Sequence, residues 1–286
     1  MIALLLMLQM AAGTAGTPDS LLTTVRALGG AIPGELPTAV NYLNAYEDSG
    51  VVGNAVDGAG SGKVWGVTGV FQVRFKHGYI MIDAAMDSSA LHRSRGFKGD
   101  NFAKIETALE KANLIVITHE HVDHVQPLVK SSIADQVAPH TLLTREQVET
   151  LLTKPKVAFT SLDSSQVSRY LVVEYERALP IAPGVVLIKA PGHTPGSQMV
   201  YAKLASGKEM IFVGDIAWRL LGIDTQKQKP DSTSRFMSED RTAIGKQLAW
   251  LKDVQSQGIT VVVSHDGGEI QTLAKKGLIT EGLVLQ

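Results

Sequence analysis

The chain of 286 residues contains no cysteine. Disulfide bonds, thiolate metal ligands, cysteine nucleophiles and lipidation of a leader cysteine are therefore excluded. Because 44% of the residues are hydrophobic, a chain of this length can bury one substantial core. We expect a single folded domain, compatible with either redox compartment.

Neither sign of charge is in excess, because 27 lysine and arginine residues face 28 aspartate and glutamate residues. The formal net charge is −1, and neither end carries an acidic or basic tail. This balance lacks the positive surface that nucleic acids require. We therefore expect a small-molecule substrate and no nucleic-acid partner; the sequence carries no signal for an oligomeric state.

No apolar run reaches the roughly 18 residues that a membrane-spanning helix needs, so no stable membrane insertion of the mature chain is expected. The N-terminal run over residues 2–12 is almost wholly apolar but shorter than that, and small residues follow it at 13–16. This pattern favours a secretory signal peptide over residues 1–16, and hence a periplasmic or secreted protein. A buried N-terminal helix is the alternative.

Residues 17–62 mix proline, glycine and serine with short apolar runs, which indicates an irregular N-terminal extension before a domain over residues 63–286. Within that domain Phe71, Val73 and Phe75 alternate with polar residues, as in a half-buried strand. Apolar patterns predict helices over 102–112, 146–152 and 240–254, and strands over 79–82, 114–118, 171–174, 185–189, 199–204, 210–213 and 259–263. Interleaved strands and helices are typical of an α/β protein.

Histidine is unevenly distributed, since three of the eight histidines lie within the H-E-H-V-D-H segment over residues 119–124. The segment follows a predicted apolar strand. Because strand alternation points residues i and i+2 the same way, His119 and His121 can present two imidazoles to one cation. Asp123 and His124, at the start of the following turn, suit a second borderline cation such as zinc.

A buried strand followed by H-x-H-x-D-H is similar to the signature of the metallo-β-lactamase superfamily. Four further segments resemble that family in matching order: an early aspartate after a strand at 80–83 (IMID), a histidine in a tight turn at 191–197 (PGHTPGS), an acidic residue after a strand at 212–215 (FVGD) and a late histidine at 261–265 (VVVSH). The resemblance covers roughly residues 64–268.

The resemblance implies an αββα sandwich with two zinc ions per chain. His119, His121 and His193 would hold the first ion, Asp123, His124 and His265 the second, and Asp215 would bridge them. Two such cations lower the pKa of a shared water to give a hydroxide nucleophile, and they stabilise the developing negative charge. Asp123 is the candidate for proton transfer to the leaving group, whereas Asp83 and Asp266 would orient ligating imidazoles from behind.

Each assignment has a simpler alternative. Asp215 could cap the next helix, Asp83 could be a turn residue, and a single histidine such as His193 or His265 could be an ordinary core or surface residue. The remaining histidines are interpreted as surface residues without a role: His77, His92 and His140.

The surroundings of the site separate the possible reactions. An imidazole at His121 favours zinc, because the iron-based flavodiiron branch has a carboxylate there. The bridging Asp215 is similar to that of hydrolases of esters, lactones, thioesters and phosphodiesters. Acyl-homoserine lactonases typically carry a tyrosine three residues later, where this chain has Trp218. We expect Trp218 and Phe236 to line an apolar substrate pocket; an exposed loop with anchoring aromatics is the alternative.

The sequence therefore predicts an exported zinc hydrolase that opens a small acyl bond, with an ester or lactone as the first choice. Hydrolysis of a β-lactam amide is the first alternative. A non-catalytic metal-binding module and an iron-dependent sulfur dioxygenase are further ones.

Overall fold

The computed structural model describes residues 18–90, 96–156 and 160–285. The signal peptide predicted over residues 1–16 and the surface position predicted for His92 lie outside the described residues and stay predictions. None of the described helices has the length and apolar character needed to cross a membrane.

Two sheets form the centre of the described part of the chain. The first sheet contains β1 (Ala39–Val51), β2 (Lys63–Arg74), β3 (Tyr79–Ile82), β4 (Leu114–Val116), β5 (Thr141–Thr144), β6 (Leu171–Val173) and β12 (Thr280–Glu281). Its order is β12-β1-β2-β3-β4-β5-β6. The pairs from β3 to β6 are parallel, whereas β1, β2 and β3 pair antiparallel.

The second sheet contains β7 (Ala178–Ala182), β8 (Val185–Lys189), β9 (Gln198–Lys203), β10 (Glu209–Phe212) and β11 (Thr260–Val262). Its order is β11-β10-β9-β8-β7, and only the β10–β11 pair within it is parallel. The strands predicted from apolar runs all appear, within one or two residues of their expected ends.

Apolar side chains alternate between the two faces of each strand, so each sheet is buried on both sides. In β3, for example, Ile80 and Ile82 face the opposite sheet, whereas Tyr79 and Met81 face a layer of helices. One helical layer covers the first sheet with α2 (Gly99–Lys111), α3 (Val122–Val129), α4 (Ala134–Val137) and α5 (Arg145–Thr153). The other covers the second sheet with α1 (Pro18–Gly29), α7 (Leu220–Thr225) and α9 (Arg241–Ser256). The expected αββα sandwich is confirmed.

Three further described helices are α6 (Ser164–Val167), whose Val167 packs against the first of these layers, α8 (Asp231–Met237) and α10 (Gly267–Lys275). The last of them places Ile270 and Leu273 in the core between the sheets. In α2 the buried residues Phe102, Ile105 and Leu109 are three and four positions apart and share one face of the helix. Burial of that apolar face against the sheet stabilises the helix. Each fully buried side chain of this size contributes about 1.5–3 kcal/mol.

Residues 18–62 are more regular than the sequence predicted. Helix α1 packs Leu22 and Val25 against the second sheet, and β1 pairs with β2 along nearly its whole length. The strand pattern is obscured in the sequence because Asn41 and Asn44 are buried polar residues and because the register shifts between Asn44 and Tyr46. The prediction of irregular structure over this segment is wrong, since α1 and β1 both belong to the sandwich.

One edge of the sandwich gathers the ends of β3, β4, β8, β10 and β11. At this edge the backbone N–H of Gln198, at the start of β9, donates to the carbonyl of Thr118 at 2.8 Å. That bond joins the loops of the two sheets. Side chains that follow these strand ends therefore meet in one place, as expected for loops at the carboxyl ends of strands.

Candidate metal centre

All seven predicted ligands lie just beyond the carboxyl ends of strands at this edge. His119 and His121 follow β4, Asp123 and His124 lie in the first turn of α3, His193 lies in the β8–β9 loop, Asp215 follows β10, and His265 follows β11.

The backbone that carries the first two histidines differs from the prediction. The strand β4 ends at Val116 and α3 begins at Val122, so His119 and His121 lie on the segment that connects them. Strand alternation therefore does not point the two imidazoles into the site. They converge because the connecting segment turns sharply into α3, and His121 takes the position just before the helix.

The ligand atoms converge in three overlapping groups, in each of which one atom per residue lies within 4.8 Å of the others. The groups are His119 with His121 and His193, His119 with His124 and Asp215, and Asp123 with His124 and His265. Five of the seven residues are at least nine-tenths buried; the side chains of His265 and Asp123 are 16% and 25% exposed.

Several imidazole nitrogens face one another across the centre. His121 Nδ1 lies 3.0 Å from His193 Nε2, and His124 Nε2 lies 3.3 Å from His265 Nε2. The Nε2 atom of His119 is buried and has no hydrogen-bond partner. Nitrogen lone pairs that converge in a buried place are a suitable donor set for zinc, so the residues fit a resident metal.

The opposite ring nitrogens are held from behind, which leaves the inner nitrogens free to act as ligands. Four imidazoles make such an outer contact: His119 Nδ1 to Thr118 Oγ1 at 3.1 Å, His124 Nδ1 to Asp83 at 2.9 Å, His193 Nδ1 to Glu239 at 2.6 Å and His265 Nδ1 to the Val67 carbonyl at 2.7 Å. A carboxylate or carbonyl can only accept, so the outer nitrogen carries the proton in the last three. Such contacts fix the tautomer of a metal-ligating histidine.

Solved structures of low sequence identity share this arrangement of elements, although no protein-family model and no curated protein sequence matches the chain. A quorum-quenching N-acyl homoserine lactone hydrolase is 16% identical with a TM-score of 0.66, covering 84% of this chain and 97% of its own. A hydrolase of the β-lactamase superfamily is 15% identical with a TM-score of 0.56, covering 82% and 92%. A dizinc quorum-quenching lactonase in complex with a product is 14% identical with a TM-score of 0.58, covering 82% and 90%.

The chain has the metallo-β-lactamase fold. Likeness at this level of identity extends to the fold, and the chemistry of the centre must be argued from this chain's own residues.

The three histidines of the first group have lowered pKa values, which favour the neutral imidazole. Burial, with the neighbouring His124, lowers the pKa of His119 well below 6.5. Burial and the neighbouring His193 lower the pKa of His121 to about 4. Burial also lowers the pKa of His193, outweighing its hydrogen bond to Glu239. Neutral imidazole is the form that binds a metal.

The other two histidines have raised pKa values. Burial would lower the pKa of His124, but the nearby carboxylates, Asp83 first, raise it well above 6.5. Asp215 in the same way raises the pKa of His265 against the effect of burial. Burial would raise the pKa of Asp215, yet His265 and His124 hold it well below its usual value. The raised pKa values of the two imidazoles thus reflect the surrounding carboxylates, whose negative charge a bound cation would balance.

Asp83 lies directly behind the centre, where the resemblance places it. Its carboxylate accepts the Thr118 N–H at 2.7 Å and the Thr118 hydroxyl at 3.0 Å in addition to His124. The backbone of Asp83 has a φ of 64°, a conformation that aspartate and asparagine tolerate better than most residues. Beside the same threonine there is no room for a side chain at Gly214, because a Cβ there would lie 2.7 Å from Thr118 Oγ1.

The other predicted residues lie in different environments. Asp266 does not contact a ligand: it caps α10 by accepting the Glu269 N–H at 3.3 Å, and it accepts the Leu220 N–H at 3.1 Å. Trp218 is half-buried and donates its indole N–H to Asp215 Oδ2 at 2.7 Å. Phe236 is 74% exposed in α8, and Lys156 lies 5.1 Å from its ring.

The histidines without an assigned role behave in two ways. His77 is exposed, as predicted. His140 is half-buried, and its Nε2 lies 3.0 Å from the Leu109 carbonyl, so the surface interpretation does not hold for it.

Sequence reasoning missed three buried charged residues beside the centre. Glu120 accepts the Thr194 hydroxyl at 2.8 Å and the Gly196 N–H at 3.2 Å, which ties the histidine segment to the β8–β9 loop. Burial raises the pKa of Glu120. The other two, Lys229 and Glu239, form a buried ion pair. Only Glu120 had a sequence signal, because it lies between two ligands.

Proposed function

We propose that this protein is a metal-dependent hydrolase that opens a small acyl bond, with an ester or lactone as the preferred substrate and two zinc ions as the cofactor. The observation that carries the proposal is the buried set of converging imidazole and carboxylate groups whose outer nitrogens are held in the ligating tautomer. The solved structures described as lactonases and hydrolases support it.

His119, His121 and His193 would hold one ion, His124, His265 and Asp123 the other, with Asp215 between them. When bound, two such cations activate a water and polarise the scissile carbonyl. The chain's own residues then orient the ligands, exclude bulk water and move protons. Asp215, 4% exposed, is enclosed, whereas Asp123, 25% exposed, is open to solvent. Asp123 is therefore the ligand carboxylate best placed to pass a proton to the leaving group.

The charges near the centre favour a neutral acyl group over an anionic one. Lys229 is committed to Glu239 and to the Asp215 carbonyl. Arg219 donates to the Trp65 carbonyl at 2.6 Å and pairs with Asp266 at 3.5 Å. The Lys229 ammonium and the Arg219 Nη1 are thus engaged within the protein and not directed at a substrate carboxylate, such as that of a penicillin. This argues for an ester or lactone first and for a β-lactam second.

Trp218 bears on the comparison with lactonases. Its indole has one donor and that donor is used by Asp215, so it does not supply a hydrogen bond to a substrate carbonyl. Stabilisation of the carbonyl oxygen would then rest on the cations and not on this side chain. Export through the segment over residues 1–16 remains part of the proposal, and the N-terminal sequence of the secreted or periplasmic protein would test it.

The decisive experiment combines the zinc content of the purified protein with hydrolysis of a small panel: a medium-chain homoserine lactone, an aryl ester, a nitrocefin-type β-lactam and an aryl phosphodiester. About two zinc equivalents and chelator-sensitive turnover of the lactone or ester are expected. Turnover of the β-lactam alone would move the function to the alternative. One iron, or folded protein with neither metal nor turnover, would refute the proposal.

Paired variants sharpen this test. His121→Ala should lose metal and activity together, because the substitution removes a ligand. His77→Ala removes an exposed histidine by the same substitution and should leave both unchanged. Phe236→Ala should change the preference within the panel without changing the zinc content, as expected if this exposed ring contacts substrate.

A further inference from the structure

A buried ion pair lies beside the metal centre without belonging to the ligand set. Lys229 Nζ and Glu239 Oε1 are 2.6 Å apart, and the two side chains are 2% and 1% exposed. Removing two charges from water costs several kcal/mol per ion, so a buried pair is often no more stable than apolar residues in its place. The pair therefore calls for a role other than stability.

Glu239 reaches the centre through one histidine. Its Oε1 atom accepts His193 Nδ1 at 2.6 Å as well as Lys229, and its Oε2 atom accepts the Ser234 hydroxyl at 2.8 Å. Both carboxylate oxygens are thus engaged, and the imidazole plane of His193 is held by a carboxylate that cannot itself rotate freely. His193 Nε2, the ligand atom, points inward 3.5 Å from Asp215 Oδ2.

Lys229 and Trp218 reach the centre through Asp215. Lys229 Nζ donates to the backbone carbonyl of Asp215 at 2.7 Å and lies 4.9 Å from the centroid of the Trp218 ring. The indole N–H of Trp218 donates to Asp215 Oδ2 at 2.7 Å. The backbone and the side chain of Asp215 are therefore held by two residues that also contact each other.

We propose that Glu239, Lys229 and Trp218 form a positioning network that holds His193 and Asp215 in a fixed relative orientation before metal binds. The inference rests on the proposed metal site and adds three residues that act through ligands. Rigid support of this kind raises metal affinity, because less ordering remains to be done on binding. It also gives Trp218 a positioning role.

Three substitutions test the network, each with a matched control elsewhere. Glu239→Gln is paired with Glu174→Gln, which removes an exposed carboxylate that pairs with Arg145. Lys229→Met is paired with Lys252→Met, which removes a lysine from an exposed ion pair. Trp218→Phe keeps an aromatic ring at a half-buried position and removes the indole donor, so it is the variant least prone to misfolding. Trp65→Phe is its control, because Trp65 is 42% exposed and lies beside Glu47.

The measurements are zinc affinity by competition with a chromophoric chelator, the absorption spectrum of the cobalt-substituted protein, and the melting temperature with and without zinc. Glu239→Gln should weaken zinc binding about 10- to 100-fold and change the cobalt spectrum. Lys229→Met and Trp218→Phe should weaken it in the same direction, and the rise in melting temperature on adding zinc should shrink. The three controls should match the wild type in all of these.

Two results would overturn the inference, and they are distinguishable. Wild-type zinc affinity and an unchanged cobalt spectrum in all three network variants, even with a lower melting temperature in both metal states, would show a merely structural network. Failure of the wild-type protein itself to bind zinc or cobalt would remove the proposed function together with the inference.

Discussion

Replacing Asp83 by asparagine changes one atom of a buried carboxyl group that contacts both Thr118 and His124. Shape and volume are retained, and asparagine tolerates the φ of 64° at this position. The substitution therefore tests the hydrogen bonding behind the centre with little change to the backbone.

The asparagine amide cannot serve both partners as the carboxylate does. If its oxygen continues to accept the Thr118 N–H, its NH₂ group faces His124 Nδ1, which must then become the acceptor. The proton of a neutral His124 moves to Nε2, the atom that points at His265 and Asp215. A protonated nitrogen cannot bind a metal. We expect Asp83→Asn to impair the metal position that His124 would occupy.

The size of the effect follows from the alternative open to the variant. A metal can recover His124 only if the amide flips, which directs the NH₂ group at the Thr118 N–H and leaves that buried donor unsatisfied. Such an unsatisfied group costs about 1–3 kcal/mol. Since 1.4 kcal/mol is a factor of ten, the zinc affinity of this position should fall about 5- to 150-fold.

The assay is zinc stoichiometry by chelator competition, combined with NMR of ¹⁵N-labelled histidines, which reports the tautomer of each ring. Asp83→Asn should weaken one of two zinc equivalents and shift the proton of His124 to Nε2. Asp163→Asn is the control, because Asp163 caps the exposed helix α6 and asparagine caps equally well. Two zinc equivalents with wild-type affinity in Asp83→Asn would refute the tautomer argument.

Three further predictions concern the same centre. Removal of metal by a chelator should lower the melting temperature, since a ligand at 100 times its Kd stabilises the folded protein by about 2.7 kcal/mol. Identical melting curves with and without chelator would contradict metal binding at the site. Gly214→Ala should lower the free energy of unfolding by about 1–3 kcal/mol, because of the φ of 55° and because the added Cβ would lie 2.7 Å from Thr118. Gly207→Ala is the control, since its φ is 83° and the added Cβ would meet nothing within 4 Å; in denaturant unfolding it should lower the free energy less. Equal losses in the two variants would refute the role of the contact with Thr118. As the pH falls from 8, zinc should leave the position of His124 and His265 first, because the raised pKa values of these histidines let protons compete with the metal at higher pH. The zinc content after dialysis at a series of pH values tests this. Release of both zinc ions at the same pH would contradict it.

Much of the centre could be predicted because its residues lie in short segments with strong local signals. In each of these segments an apolar run is followed closely by a histidine or aspartate. This holds for the histidine segment over 119–124, for Asp215 and for His265. The positions of the strands followed from the same runs, since buried strands are continuous apolar stretches, whereas the αββα sandwich was expected from the resemblance to the metallo-β-lactamase superfamily. Segment β1 did not, because it contains two buried asparagines, of which Asn41 donates to the distant Gly282 carbonyl at 2.8 Å.

Position next to a ligand proved an unreliable guide to contact with it. Asp266 directly follows His265, yet its side chain points away from the centre and caps α10. Trp218 lies three residues after Asp215 and turns back to bond with it. In a loop the backbone has no regular repeat that fixes where successive side chains point. The spacing of residues in the sequence therefore does not predict these side-chain directions.

The sequence by itself determined the chemical type of the site: which imidazoles and carboxylates are available, in what order they follow strands, and that no thiol takes part. Only the tertiary structure decided how those groups are held. Lys229 and Glu239 lie ten residues apart in the segment between α7 and α9, where no helical or strand period relates them, and they meet only after the chain packs beside His193 and Asp215. A buried charge is stable only with its partner in place, and that partner is supplied by the fold.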